Sequence, residues 1–320
     1  MTITLFNRKI ITGLSQNNAD NAGQQDSLFF YYSTMKSIIL SAALLVFSIS
    51  ACGDNTPPSE KPDKEPVNTV PSGYVLVWSD EFDDTPDKLP GDEWWFETGN
   101  HGWGNNEPQN YVNRVLNRGE LGSDTVAKIQ NGNLIITAHK LQTPYQGSEY
   151  VSARMNTVQS WKYGYFEMRA KLPGGRGTWP AFWMLPKNFQ KWPLDGEIDI
   201  LEYVGYRPDV VQASVHTQSY NHSINTEKTA TRNAPGAERK FYIYGMLWTE
   251  NEIKAYIDGI EYFSFKNDKA DNKNTWPFNE PFYLKLNLAI GGNWGGSQGI
   301  DKDIFPAQYE IDYVRVYQRE

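Results

Sequence analysis

Short runs in which apolar and polar residues alternate recur from residue 74 to the end of the sequence, and this pattern limits the fold most. In one run, every second residue from Phe166 to Leu172 is apolar, so an extended strand would place these side chains on one face. Comparable runs cover residues 74–78, 133–139, 163–172, 210–216, 241–248, 252–257, 282–289 and 309–317. No long helical period interrupts them, and Asp258-Gly259 between two runs is a two-residue hairpin signal. The pattern predicts one all-β domain of about 245 residues, an antiparallel β-sandwich or jelly roll.

Residues 197–202 combine three acidic side chains with three apolar ones. In a regular strand, Glu197 and Asp199 share one face, whereas Glu202 joins two isoleucines on the face that turns to the core. Burying an unpaired carboxylate there would cost several kcal/mol. One extra residue, inserted as a β-bulge between Asp199 and Glu202, returns Glu202 to the face of the other acids. We therefore predict an irregular strand over residues 197–203 that carries three carboxylates on one face.

Three carboxylates on one face of a strand suit acid/base and nucleophilic chemistry. Trp179 and Trp183 lie just upstream of this strand in the sequence, and His216 lies just downstream. The alternative interpretation is a solvated acidic strand edge, which would require neither the third acid nor the neighbouring aromatic residues.

The motif at residues 197–202 resembles the bulged E-x-D-x-x-E signature of glycoside hydrolase family 16. Residues 177–185 (GTWPAFWML) and 214–217 (SVHT) extend the resemblance to its laminarinase-like branch, over residues 74–319. The resemblance implies an endo-acting, retaining β-1,3-glucanase that cleaves laminarin-like or mixed-linkage β-glucan in a cleft on the concave face of the sandwich. It also implies that Glu197 is the nucleophile, that Glu202 is the acid/base and that Asp199 hydrogen-bonds Glu197.

The same resemblance predicts which residues contact the glucan. The loop at residues 103–111 offers aromatic faces and amides, and the glycine-rich loop at 291–296 would present a tryptophan to the substrate. Two tryptophans would stack on the glucosyl rings that flank the scissile bond, and an arginine in a strand predicted over residues 150–155 would line the cleft. The predicted contacts are Trp103, Asn105, Arg154, Trp179, Trp183, His216 and Trp294. Structural alternatives stay open for several of them: a loop anchored by its own tryptophan, a surface arginine, a core histidine and glycines that serve only turns.

No cofactor is expected for catalysis, because the four histidines lack the H-E-x-x-H spacing of a zinc site. The resemblance implies a structural calcium ion remote from the cleft, held by Glu81, Asp312 and a backbone carbonyl near Gly132. Ligands that offer only oxygen suit calcium. The net charge of −8, without a basic stripe, argues against nucleic acid as a partner. The predicted partner is a β-glucan bound by a monomer.

The first 72 residues precede this domain and differ from it in composition. Residues 1–34 are polar and receive no predicted fold, whereas residues 35–52 have the charged start, short apolar run and small residues of a signal peptide. The apolar run is shorter than the 20 or so residues that a membrane span needs. Residues 53–72 are rich in Pro and charge, which is typical of a flexible linker, and residues 73–320 form the predicted hydrolase domain.

The end of the predicted signal peptide, residues 49–52, resembles a bacterial lipobox, in which Cys52 becomes lipid-modified. An ordinary secretory signal with an incidental cysteine is the alternative. If the lipobox is real, translation starts at Met35, and residues 1–34 lie upstream of that start. The predicted location is therefore the bacterial cell envelope, with a lipid anchor in the outer membrane, or the extracellular space.

Two other functions stay open from the sequence. A related galactan hydrolase of the agarase or carrageenase type is one, because specificity in such folds lies in loops. The other is a carbohydrate-binding sandwich without catalysis, which would not need all three acids.

Overall fold

The computed structural model describes residues 69–83, 87–119 and 123–320, and its regular structure there is almost all strand. The strands are β1 Tyr74–Asp80, β2 Trp94–Glu97, β3 Gln109–Tyr111, β4 Val115–Asn117, β5 Ser123–Thr125, β6 Ala127–Gln130, β7 Asn133–Tyr145, β8 Ser148–Ser152, β9 Arg154–Thr157, β10 Gly164–Lys171, β11 Thr178–Pro186, β12 Glu197–Tyr203, β13 Val210–His216, β14 Lys228–Asn233, β15 Tyr242–Trp248, β16 Glu252–Ile257, β17 Ile260–Lys266, β18 Phe282–Ile290 and β19 Ala307–Arg319. Single 3-10 turns lie at His222–Ile224 and Lys302–Ile304.

Two large sheets contain most of these strands. The first has the order β17-β16-β15-β10-β19-β7-β8-β3, with β1 beside β19 and β6 beside β7. The second has the order β14-β13-β12-β11-β18-β9-β2, and β4 pairs with β5 separately. All pairs are antiparallel except β3 with β8. The predicted antiparallel β-sandwich is confirmed, and the second sheet carries the acidic strand β12.

The core lies between the two sheets and follows the alternation read from the sequence. Phe166, Met168 and Ala170 of β10 are fully buried, and so are Phe182 and Met184 of β11 in the other sheet. Side chains on the opposite face of β11 point away from this core, because neighbouring residues of a strand alternate in direction. The second sheet therefore has one face in the core and one face free to form a site.

Most predicted strands are confirmed within two residues of their ends. The Asp258-Gly259 hairpin joins β16 to β17, and both turn residues have positive φ, 47° and 75°, as a type I′ turn requires. One run extends well beyond its predicted end, since β7 continues to Tyr145.

The prediction of a single strand over residues 150–155 is wrong. The chain forms two strands there, β8 and β9, on either side of Ala153. β8 pairs with β7 in the first sheet, whereas β9 pairs with β18 in the second. The chain thus crosses from one sheet to the other at Ala153, which the sequence of residues 150–155 does not reveal.

The predicted signal peptide, Cys52 and linker residues 53–68 lie outside the described residues. Within the part of the chain that the structure describes, no helix has the length and apolar character to cross a membrane.

Candidate active site

Strand β12 contains the predicted bulge. Trp183 of β11 pairs with Asp199, but the next partners along the two strands are Phe182 and Leu201, so Ile200 is the extra residue. The ladder to β13 shifts between the same two acids, Asp199 and Glu202. Ile198, Ile200 and Leu201 are all buried, and Glu202 is only partly so. The bulge therefore lets β12 bury its apolar residues and keep Glu197, Asp199 and Glu202 on the groove side.

The three carboxylates share a setting that opposes full ionisation. Burial, and then the charge of Asp199, raise the pKa of Glu202 to about 8. The same two causes raise the pKa of Glu197, while His216 and Arg154 act in the opposite direction. Burial also raises the pKa of Asp199, whose side chain is 4% exposed. The trio therefore holds a proton near neutral pH.

His216 lies beside the catalytic strand as predicted. Its Nε2 atom is 3.3 Å from Oδ2 of Asp199 and 3.8 Å from Oε1 of Glu197, because Glu197 and His216 are direct partners in the ladder of β12 and β13. In the described part of the chain, these three side chains form the one group of three or more His, Cys, Asp or Glu residues close enough to share an ion. His216 therefore acts on the carboxylates and is not an isolated core histidine.

Trp179 and Trp294 form one wall of the site. The indole N–H of Trp179 donates to Oε1 of Glu202 at 3.2 Å, and its ring meets Trp294 edge-on at 5.5 Å. The glycine-rich loop packs directly on this wall, since a Cβ atom on Gly295 would lie 2.9 Å from Cβ of Trp179. The glycines thus serve close packing, and the loop also brings Trp294 to the groove.

Loop 103–111 forms the wall next to Trp294. The backbone N–H of Asn293 donates to the carbonyl of Asn105 at 2.7 Å, which ties this loop to the glycine-rich loop. Trp103 is anchored by an indole hydrogen bond to the Gly99 carbonyl at 3.1 Å and still lines the groove, as does Asn105. Both the anchoring and the cleft-lining interpretations of this loop therefore apply.

Arg154 lies between two predicted contacts. Its guanidinium carbon is 4.7 Å from the centroid of the Trp103 ring and 4.9 Å from that of Trp183, and its Nε pairs with Glu97. Trp183 donates its indole N–H to Oδ1 of Asn287 at 2.7 Å. Arg154 is therefore a positioned part of the site and not a loose surface arginine.

The structure brings all seven predicted substrate contacts and the three acids into one groove of about 710 Å³. The sequence interpretation did not identify several other lining residues. Glu107 is buried and accepts hydrogen bonds from Gln109 and Asn105, and the rings of Trp192 and His222 lie 4.9 Å apart at another part of the wall. Aromatic residues in the loops beside β11 and β13 were the available signal for this second pair, but their spacing in sequence gives no register.

The residues predicted for calcium lie outside the groove, and their described contacts are with arginines. Both carboxylate oxygens of Glu81 accept hydrogen bonds from Arg315 at 2.8 Å, and Oδ2 of Asp312 pairs with Arg169 at 2.7 Å. Gly132 sits in the turn between β6 and β7 with φ of 70°. Arginine contacts thus engage three of the four carboxylate oxygens of these two acids, and calcium binding there stays a prediction.

Comparisons with known proteins agree with this geometry. The profile of glycosyl hydrolases family 16 matches residues 118–315. A β-glucanase of Rhodothermus marinus is 44% identical over 271 residues, which cover 81% of this chain and 88% of that protein. The X-ray structure of the laminarinase from Rhodothermus marinus is 45% identical, with a TM-score of 0.71 over 77% of this chain and 98% of its own.

A further solved structure holds a sugar. It is a mutant of SCLam, a non-specific endo-β-1,3(4)-glucanase, with 1,3-β-D-cellobiosyl-glucose at its active site. It is 41% identical to this chain, covers 78% of it and 96% of its own length, and has a TM-score of 0.71. Sequence profile, sequence identity and fold agree, and the chain therefore belongs to glycoside hydrolase family 16.

Proposed function

We propose that this protein is an endo-acting, retaining glycoside hydrolase that cleaves β-1,3-glucan of the laminarin type and tolerates mixed β-1,3/1,4 linkages. The observation that carries the proposal is the bulge in β12, which leaves Glu197, Asp199 and Glu202 on the groove side of one strand. The names of the relatives, a laminarinase and an endo-β-1,3(4)-glucanase among them, support the choice of substrate.

The two glutamates divide the chemistry between them. Glu202 gives its proton to the glycosidic oxygen while the Glu197 carboxylate attacks the anomeric carbon, so the C–O bond to the leaving sugar breaks as the glycosyl-enzyme bond forms. Glu202, now ionised, then takes a proton from water, and that water displaces Glu197 from the same carbon. Two displacements at one carbon retain its configuration.

Asp199 and His216 prepare the two glutamates for these steps. Burial, and then Asp199, raise the pKa of Glu202 to about 8, which keeps the acid protonated near neutral pH. Burial and Asp199 raise the pKa of Glu197 to about 8, and His216 partly opposes them. Trp179 and Trp183 offer aromatic faces to the glucosyl rings beside the scissile bond. No cofactor takes part in these steps.

A panel of laminarin, lichenan, agarose and carrageenan tests the proposal. Reducing ends should appear on laminarin, and more slowly on lichenan, with early release of oligosaccharides of mixed length and a β-anomer as the first product by NMR. Hydrolysis of agarose or carrageenan without hydrolysis of laminarin would show that the protein is a galactan hydrolase. An α-anomer as the first product would exclude the retaining mechanism.

We also propose that the hydrolase is a monomer held at the bacterial cell envelope through lipid-modified Cys52. The support is sequence alone: the lipobox-like residues 49–52 follow a short apolar run and precede a Pro-rich linker. Cys52→Ser should move the protein from the membrane fraction to the soluble fraction. Unchanged partitioning would refute the anchor.

The structural calcium ion stays a prediction of the family resemblance. The arginine contacts of Glu81 and Asp312 count against those two residues as ligands. If an ion binds elsewhere in the domain, EDTA should lower the melting temperature and added Ca²⁺ should restore it. A melting temperature that EDTA leaves unchanged would contradict the prediction of a structural calcium ion.

A further inference from the structure

The groove side of the second sheet continues beyond the groove to the edge strand β2. Trp183 pairs with Asp199 on one side and with Lys285 on the other, Lys285 pairs with Asn156, and Asn156 pairs with Trp95. Directly paired residues project to the same face of a sheet. Trp95 therefore lies on the face of the catalytic carboxylates, four strand spacings or roughly 19 Å from β12.

Trp95 is the most exposed of the eleven tryptophans, at 43%, whereas its neighbour Trp94 is 1% exposed in the core. Tyr283 shares the same sheet face, two positions from Lys285 in β18, and its ring lies 6.1 Å from that of Trp95 at an angle of 49°. Val158, two positions beyond Asn156 and just past the end of β9, is an apolar residue that is 63% exposed. We call Trp95, Tyr283 and Val158 the distal platform.

A buried ionic cluster connects the distal platform to the groove. The ammonium of Lys285 lies 6.0 Å from the Trp95 ring, 5.1 Å from the Tyr283 ring and 4.9 Å from the Trp183 ring. It donates to Oε1 of Glu97 at 2.8 Å, and Glu97 in turn pairs with Arg154, which lines the groove. Lys285 is fully buried under these rings, and Trp95 nevertheless stays 43% exposed.

We propose that the distal platform is an additional carbohydrate-binding site, which holds a remote stretch of the same β-1,3-glucan chain that the groove cleaves. The inference rests on the proposed function and extends it from the groove to chain-length preference. An exposed indole beside a tyrosine offers both the apolar surface and the polar edge that a sugar ring requires. Its place on the catalytic face, joined to the groove through Arg154, Glu97 and Lys285, favours the polysaccharide over an unrelated partner.

Trp95→Ala tests the distal platform when a long and a short substrate are compared. On laminarin, kcat/KM should fall about three- to tenfold, which matches the loss of one aromatic contact. On an aryl β-laminaribioside, whose two sugars occupy only the positions next to the scissile bond, kcat/KM should stay within twofold of wild type. Trp95→Tyr keeps an aromatic face and should recover most of the laminarin activity. Ile260→Ala, an exposed apolar side chain on β17 of the other sheet, is the control and should change neither value.

Each other outcome overturns the inference. Equal losses on both substrates would assign Trp95 to the support of Lys285 and the groove. Unchanged activity on both would mean that the distal platform binds no glucan, and a change in oligomeric state on sedimentation would mean that it covers a second copy of the chain. If the wild-type protein cleaves neither substrate, the proposed function itself fails, which separates that failure from the failure of the distal platform.

Discussion

The indole N–H of Trp179 donates a hydrogen bond to Oε1 of Glu202 at 3.2 Å. This tryptophan was expected to stack on a sugar, and it also stabilises the charged form of the acid/base. Burial and Asp199 raise the pKa of Glu202, and this hydrogen bond together with His216 partly opposes them. Trp179 thus lines the groove and also lowers the pKa of Glu202, the residue that protonates the leaving group.

Trp179→Phe should therefore move the alkaline limb of the pH profile. Phenylalanine keeps an aromatic ring but loses the donor, so the ionised form of Glu202 loses stabilisation and its pKa rises above the value of about 8. The alkaline limb of kcat/KM, which reports loss of the proton from the acid, should shift to higher pH by on the order of half a unit. Trp183→Phe is the matched control, because that indole donates to Asn287 and not to a carboxylate. Equal shifts in both variants, or a shift to lower pH, would contradict the assignment.

Gly295→Ala should lower activity more than it lowers stability. The added Cβ would lie 2.6 Å from the carbonyl oxygen of Gly291 and 2.9 Å from Cβ of Trp179, so the loop has to move away from the wall that it supports. We expect about a tenfold loss in kcat/KM on laminarin and a change in melting temperature of only a few degrees, since the loop is a surface connection. Gly91→Ala is the control, because a Cβ there meets no atom within 4 Å. Full activity in the Gly295 variant would show that the loop need not hold its position.

The bulge and the shared face of the three acids could be predicted because strand alternation and the cost of burying a charge conflict within residues 197–202. The place of His216 was predicted from the family resemblance. A regular strand would bury Glu202 beside Ile198, and one inserted residue resolves the conflict. The distal platform could not be predicted, because Trp94 and Trp95 look alike in sequence and only the pairing of β2 with β9 assigns one to the core. The change of sheet at Ala153 likewise depends on contacts between segments that are distant in the chain, since β9 pairs with β18.

Asp199→Asn should stabilise the protein, and more so as the pH rises. The pKa of Asp199 is raised in the folded state, so the folded protein binds more protons than the unfolded chain between the ordinary value and about 8. Stability therefore falls as the pH rises through this range, and an amide, which carries no charge, removes that loss. The melting temperature of the variant should exceed that of wild type by several degrees at pH 8 and by little at pH 4.

Asp195→Asn supplies a control of opposite sign. Hydrogen bonds from Lys273 and from the backbone N–H groups of Lys191 and Gln190 outweigh burial and lower the pKa of Asp195. Its contribution to stability is thus present above the ordinary pKa of an aspartate and is lost as the pH falls. The Asp195 variant should be less stable than wild type at pH 7, with the difference shrinking below pH 3. The same pH trend in both variants would refute the assignment for Asp199.

The roles of the two glutamates are separable by leaving group and by azide. Glu197→Gln removes the nucleophile and should abolish hydrolysis of every substrate, by a factor of about 10⁴ or more. Glu202→Ala removes the proton donor but leaves the attacking carboxylate, so an aryl glycoside with a good leaving group should still form the glycosyl-enzyme and then accumulate it. Azide needs no base and should attack that intermediate, restore turnover and give a β-azide of retained configuration. Mass spectrometry of the trapped intermediate should place the sugar on Glu197. A β-azide that forms in Glu197→Ala, and none in Glu202→Ala, would exchange the two roles while leaving the chemistry on β12.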